Sequence, residues 1–138
     1  VIILDTNVLS EVTSSRPSVR VTAWVDSQFD EMFITAITVG ELSYGIAKLP
    51  PSRRRRQFAD QLARILTQHF SERILPFDEA AALEFGPIVA DRKARGRLVS
   101  TLDAQIAAIA VANDAVVATR DARGLDHPGL VVVNPWDA

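Results

Sequence analysis

Four carboxylates stand out: Asp5, Glu41, Asp103 and Asp121. Asp5 ends the run V-I-I-L, Val1 to Leu4, which reads as a buried strand of a parallel sheet. Asp121 follows a second such run, V-V-A-T, Val116 to Thr119. Glu41 and Asp103 are each expected in the first turn of a helix. Strand ends and helix starts meet at one edge of an open α/β sheet, where such sheets place their ligands. The four acids are therefore expected to converge. A charge at the end of a buried strand is costly to desolvate unless something pairs with it. Clustered oxygen ligands without His or Cys suit a hard cation, Mg²⁺ or Mn²⁺, that keeps part of its water shell.

Each acid also has a purely structural explanation. Thr38-Val39-Gly40-Glu41 fits a capping box, with Glu41 reaching back to the cap backbone. Ser100-Thr101-Leu102-Asp103 fits the related S-x-x-D pattern. Asp121 fits the start of a turn. Asp5 has the least structural excuse, and the co-occurrence of all four carries the argument. Asp78 reads as a helix cap rather than a site residue, because F-D-E-A-A-A places Glu79 in the first turn. His69 and His127 lack ligand spacing and read as surface or helix-end residues.

The elements that must position these acids alternate along the chain. Strands are expected at Val1–Leu4, Met32–Ile34, Ile74–Phe77, Val116–Thr119 and Leu130–Val133. Helices are expected at Asn7–Glu11, Pro17–Gln28, Thr38–Lys48, from Ser52 to about Phe70, at Asp78–Arg95 and at Thr101–Ala112. Pro87 predicts a kink in the fifth helix, and Gly96 its stop. Leu102, Ile106 and Ile109 recur at helical spacing in the sixth. Such alternation argues for an α/β fold, a parallel sheet of about five strands flanked by helices. The long fourth helix carries a stripe of Phe58, Leu62, Ile65, Leu66 and Phe70, fit for the domain's own core or for a partner.

At 138 residues the chain reads as a single domain, 1–138, with neither repeat nor linker. It has no Cys, so disulfides, thiolate metal sites and a Cys nucleophile are excluded. No apolar run is long enough to span a membrane, and the first one is too short for a signal peptide; a cytoplasmic location is expected. The net charge of −2 neither demands nor forbids a nucleic-acid partner. The four consecutive arginines, Arg53, Arg54, Arg55 and Arg56, are candidate phosphate contacts or simply a solvated helix start. No Ser-His-Asp pattern or Gly-rich phosphate loop is present.

L-D-T-N-V-L-S-E at the start, I-T-A-I-T-V-G-E-L in the middle, then D-A-Q-I-A-A-I-A, A-T-R-D and V-V-N-P-W together resemble a PIN domain. More narrowly, they resemble the VapC toxins and the FitB-like branch among them. The resemblance runs from Val1 to Trp136. It implies a three-layer fold with strand order 3-2-1-4-5, placing the switch point between the strands that carry Asp5 and Asp121. It also implies an endoribonuclease that uses Mg²⁺, or Mn²⁺, with the family's acidic quartet on Asp5, Glu41, Asp103 and Asp121. Thr6 and Asn7 match the polar pair after the first acid, and Thr119 matches the hydroxyl before the last. Arg120 joins Arg53 to Arg56 as a candidate RNA contact. A VapB-like antitoxin, an RNA substrate and a homodimer are the implied partners.

A haloacid-dehalogenase-type phosphatase would need an acid where Asn7 stands, since an amide cannot shuttle a proton. A phosphate-accepting receiver domain would need a Lys near the last strand, and none follows Lys93. The alternative of a different class is a PIN module that binds RNA or protein without turnover. Nothing in the sequence encodes which RNA is the target.

Overall fold

The computed structural model describes residues 1–138. Five strands, β1 (Ile2–Leu4), β2 (Met32–Thr35), β3 (Ile74–Leu75), β4 (Val116–Ala118) and β5 (Val131–Val133), form one sheet in the order β3-β2-β1-β4-β5. All pairings are parallel, with Ile3 opposite Phe33 on one side and Val117 on the other. The expected order is the observed one. β1 lies at the centre, so its residues are buried on both faces and a continuous apolar run is what the position demands.

Alternation along the strands divides the core into two clusters. Ile3 and Val117 point to one face, where they meet α5 (Glu79–Ala94) and α6 (Thr101–Ala112). Leu4, Ala118, Met32 and Ile34 point to the other, against α1 (Thr6–Val12) and α2 (Val19–Ser27). α3 (Ala36–Ala47) and α4 (Arg53–Gln68) close that second side. Full burial of each Ile or Leu contributes roughly 1.5–3 kcal/mol. Alanines let α6 approach closely: Ala104, Ala107, Ala108 and Ala110 are all buried.

Several boundaries differ from expectation, each for a local reason. α2 starts at Val19 because Ser18, not Pro17, supplies the cap that accepts from the Val21 amide. β3 stops at Leu75 because Pro76 has no N–H to extend the ladder. Leu102 is 45% exposed and lies off the apolar face of α6. α5 runs on through Pro87, where the lost hydrogen bond falls beside exposed Leu83 and Gly86. Asp78 caps α5 through the Ala81 amide, as expected. Gly96, at φ 69°, takes the left-handed turn that ends the helix.

The largest departure concerns α3. Its cap is Thr35, the last residue of β2, whose hydroxyl accepts from the Thr38 amide. The strand passes into the helix with no intervening loop. Thr38 is therefore already helical, and Glu41 stands in the second turn rather than the first. The capping box proposed for Thr38 and Glu41 does not exist, and Glu41 has no capping duty.

Candidate active site

Residues at i and i+2 of a strand share a face, so Asp5 follows Ile3 and Thr119 follows Val117 toward the α6 side. Asp5 is 7% exposed. One carboxylate oxygen caps α1 by accepting from the Thr6 amide at 2.8 Å. The other accepts from the Thr119 hydroxyl at 2.7 Å and from Asn7 Nδ2 at 3.4 Å. Thr119 Oγ1 also accepts from Asn7 Nδ2 at 3.1 Å and from the Asp121 amide at 3.1 Å. Asn7 Oδ1 accepts from the Arg120 amide at 3.2 Å. Asp5, Asn7 and Thr119 thus form a closed node that stitches the ends of β1 and β4.

A second network holds Glu41. The Thr6 hydroxyl donates to Glu41 Oε1 at 2.9 Å and lies 3.0 Å from the hydroxyl of buried Thr38. The Thr35 hydroxyl lies 3.5 Å behind that of Thr38. Thr35 and Thr38 are support residues that sequence reasoning missed; the T-x-x-T spacing across a strand–helix junction was the available signal.

Asp103 enters from the first turn of α6, where its amide donates to the Ser100 hydroxyl at 3.1 Å, as the S-x-x-D pattern predicts. Asp121 is exposed and accepts from the Gly124 amide at 3.1 Å. A Cβ on Gly124 would lie 2.5 Å from Asp121 Oδ2, so a side chain there would displace the Asp121 carboxylate.

Burial pushes the Glu41 carboxyl above its ordinary value; Thr6 opposes the rise, and the charges of Asp5 and Asp103 add to it. Burial likewise raises Asp103; Ser100 and Arg92 oppose the rise, while Asp5 and Asp121 add to it. All four acids therefore share one electrostatic neighbourhood. No Lys, Arg or His nitrogen lies within 4.0 Å of any of them. No three of the chain's acidic or histidine side chains enclose a single ion site as they stand. Asp5, Glu41 and Asp121 are turned instead toward protein donors. The donor set still fits a hard cation: all oxygen, crowded with like charge and with no basic group in ion-pairing contact.

Other sequence candidates fall elsewhere. Arg120 points with Ala118 to the opposite face, its guanidinium 4.9 Å from the Trp136 ring. Arg53, Arg54 and Arg56 are exposed at the start of α4 and Arg55 is half-buried; none of the four forms an ion pair. His69 ends α4 as expected. His127 is not a surface residue, its side chain being 15% exposed and 3.4 Å from Asp91.

A groove of 680 Å³ opens beside the acids, between α1, α3 and α4. It has Thr6 and Glu41 in its wall together with Leu42, Phe58, Leu62 and Ile65. Three residues of the α4 stripe thus line this groove, and Phe70 alone of the stripe is fully buried.

The PIN domain family model matches residues 2–129. The chain is 39% identical over 137 residues to VapC ribonuclease Y4jK of Sinorhizobium fredii, covering 99% of this chain and 98% of that protein. It is 38% identical over 136 residues to toxin FitB of Neisseria gonorrhoeae, covering 98% of each. The solved structure of FitAcB from Neisseria gonorrhoeae matches with a TM-score of 0.87 at 37% identity over 100% of both chains. No helix is long and apolar enough to cross a membrane. With the sheet order, the acidic edge and these full-length likenesses in agreement, the chain belongs to the PIN-domain family, in the branch that holds VapC and FitB.

Proposed function

We propose that this protein is a divalent-metal-dependent endoribonuclease and the toxin half of a toxin–antitoxin pair. What supports the reading is the mutual coupling of the acids, Glu41 with Asp5 and Asp103, and Asp103 with Asp5 and Asp121, none with a basic nitrogen within 4.0 Å. Relatives named as ribonucleases support the reaction class. The matched structures of FitAB and VapBC complexes support an antitoxin partner of the VapB kind.

Asp5 and Asp103 would hold Mg²⁺ or Mn²⁺ directly, being the more buried of the acids on the α6 side. Bound there, the ion would polarise a phosphoryl oxygen and make its water more acidic. Glu41 and Asp121 flank the pair and would orient the attacking water or hold a second ion. Thr119 and Asn7 on one oxygen and the Thr6 amide on the other keep the Asp5 carboxylate from rotating. The hydroxyl of Thr6 does the same for Glu41. Arg120 borders the site through its backbone amide, while its guanidinium lies over the Trp136 ring on the opposite face.

The test incubates the antitoxin-free protein with structured and single-stranded RNA, in Mg²⁺, Mn²⁺ or chelator, beside Asp5→Asn. Cleavage that requires both metal and Asp5 is the expected result. Cleavage that survives Asp5→Asn would overturn the acidic-site reading. Intact RNA under every metal, from folded protein that retains RNA, would favour a binding module.

A further inference from the structure

Arg92 is the one buried cation in the molecule, 4% exposed near the end of α5. No carboxylate lies within 4.0 Å of it. A buried charge is tolerated only if its protons find acceptors, and here these are backbone carbonyls. Nη1 donates to the carbonyl of Arg123 at 3.1 Å and of Asp126 at 2.8 Å. Nη2 donates to the carbonyl of Leu98 at 3.1 Å. Nε is buried without a partner.

The three carbonyls belong to two segments. Leu98 lies just before Ser100, the cap that starts α6 and presents Asp103. Arg123 and Asp126 bracket the 3₁₀ turn that follows Asp121 and supplies its Gly124 amide. Leu125, between them, is buried in the same cluster as Ile88 and Ala104. One planar fork, rigid where an ammonium is a mobile point, therefore ties the start of α6 to the turn after β4. The surface contacts of Arg95 and Arg97 to Asp126 are solvent-exposed and screened.

We propose that Arg92 is a positioning residue for the acidic site: it sets the separation of Asp103 and Asp121, and so the affinity for a divalent cation, without touching cation or RNA. Its effect on affinity rests on the metal reading above; the tie itself does not.

Two measurements separate these. In the metal-free protein, Arg92→Lys and Arg92→Met are compared with wild type by hydrogen–deuterium exchange. Val25→Ala, in the opposite core cluster, controls for general loss of stability. The expected result is faster exchange in residues 98–104 and 121–126 together, in both Arg92 variants and not in Val25→Ala. Loosening confined to α5, or spread evenly over the chain, would overturn the tie. Titration with Mn²⁺ alone then reads the consequence. Binding weaker by roughly tenfold or more in Arg92→Lys is expected, as for other residues that orient metal ligands. A folded Arg92→Lys that binds Mn²⁺ as tightly as wild type would overturn the positioning role. A wild type that binds no Mn²⁺ would overturn that role along with the metal reading, leaving the tie to the exchange data.

Discussion

Asp5 and Asp103 carry the same charge at the same edge of the sheet, and the fold treats them oppositely. Asp5 is the more deeply buried, yet three donors face its two oxygens. Asp103 and Glu41 are less buried, yet desolvation and their neighbours' charges push both carboxyls upward. The Asp5 node contributes structure as well as charge, because it joins β1 to β4. The Glu41 and Asp103 side stores repulsion that a cation would relieve. One half of the site is preorganised at a stability gain and the other at a stability cost.

The sharpest way to break this contrast is Thr119→Val. It removes the hydroxyl that donates to Asp5 and accepts from Asn7 and the Asp121 amide, leaving a buried carboxylate short of a partner. We expect a loss of about 1–3 kcal/mol in urea denaturation. A change near zero would mean that solvent reaches Asp5 and the node is not closed. Thr6→Val strikes the other half more weakly. It takes one donor from a half-exposed Glu41, so the cost should be about 1 kcal/mol. It should also raise the Glu41 carboxyl further, seen as an upward shift in its ¹³C titration by NMR.

Glu41→Gln and Asp103→Asn should have the smallest effect and the opposite sign. A carboxyl raised in the folded state binds more protons there than in the unfolded chain. Stability therefore falls as pH rises from the ordinary carboxylate value through the raised one, and the penalty persists at neutral pH. Without divalent ions, both variants should be more stable than wild type at pH 7, by less than about 1 kcal/mol after screening. The difference should vanish at acid pH. Thermal melts across pH check it, and destabilised variants at pH 7 would show that the repulsion is not real. Saturating Mn²⁺ should reverse the order, stabilising wild type most.

The contrast also explains what could be read from residues alone. Asp5 and Asp121 were visible because each stands just beyond the carboxyl end of an apolar strand, although the structure also gives each a local duty, Asp5 capping α1 and Asp121 accepting from the Gly124 amide. Asp103 was visible from its expected place in the first turn of α6, where the Ser100 cap that competed as its explanation is also present. Glu41 was found for the wrong local reason. Thr35 and Thr38 both match a cap, and only the direct passage of β2 into α3 chooses Thr35. The hydroxyl partners were unreadable because Thr6 and Glu41 stand 35 residues apart, and only topology brings them together. Arg92 was overlooked, although it continues the spacing of Ala81, Phe85 and Ile88 on the buried face of α5. A lone Arg on an apolar stripe is a signal that composition hides, since most arginines are solvated.

The central place of β1 has a consequence for biosynthesis. β1 pairs with β4, Ile2 with Val116, and the hydrogen bond from Thr119 to Asp5 spans 114 residues. On the ribosome, β1, β2 and their helices can emerge long before that partner exists. Until β4 emerges, Asp5 has no Thr119 hydroxyl, and a nascent chain cut short before this point carries three of the four acids and lacks Asp121. Chain closure of this length is slow relative to local helix formation. A site assembled this way stays incomplete until β4 has been made and paired with β1, a delay written into strand order.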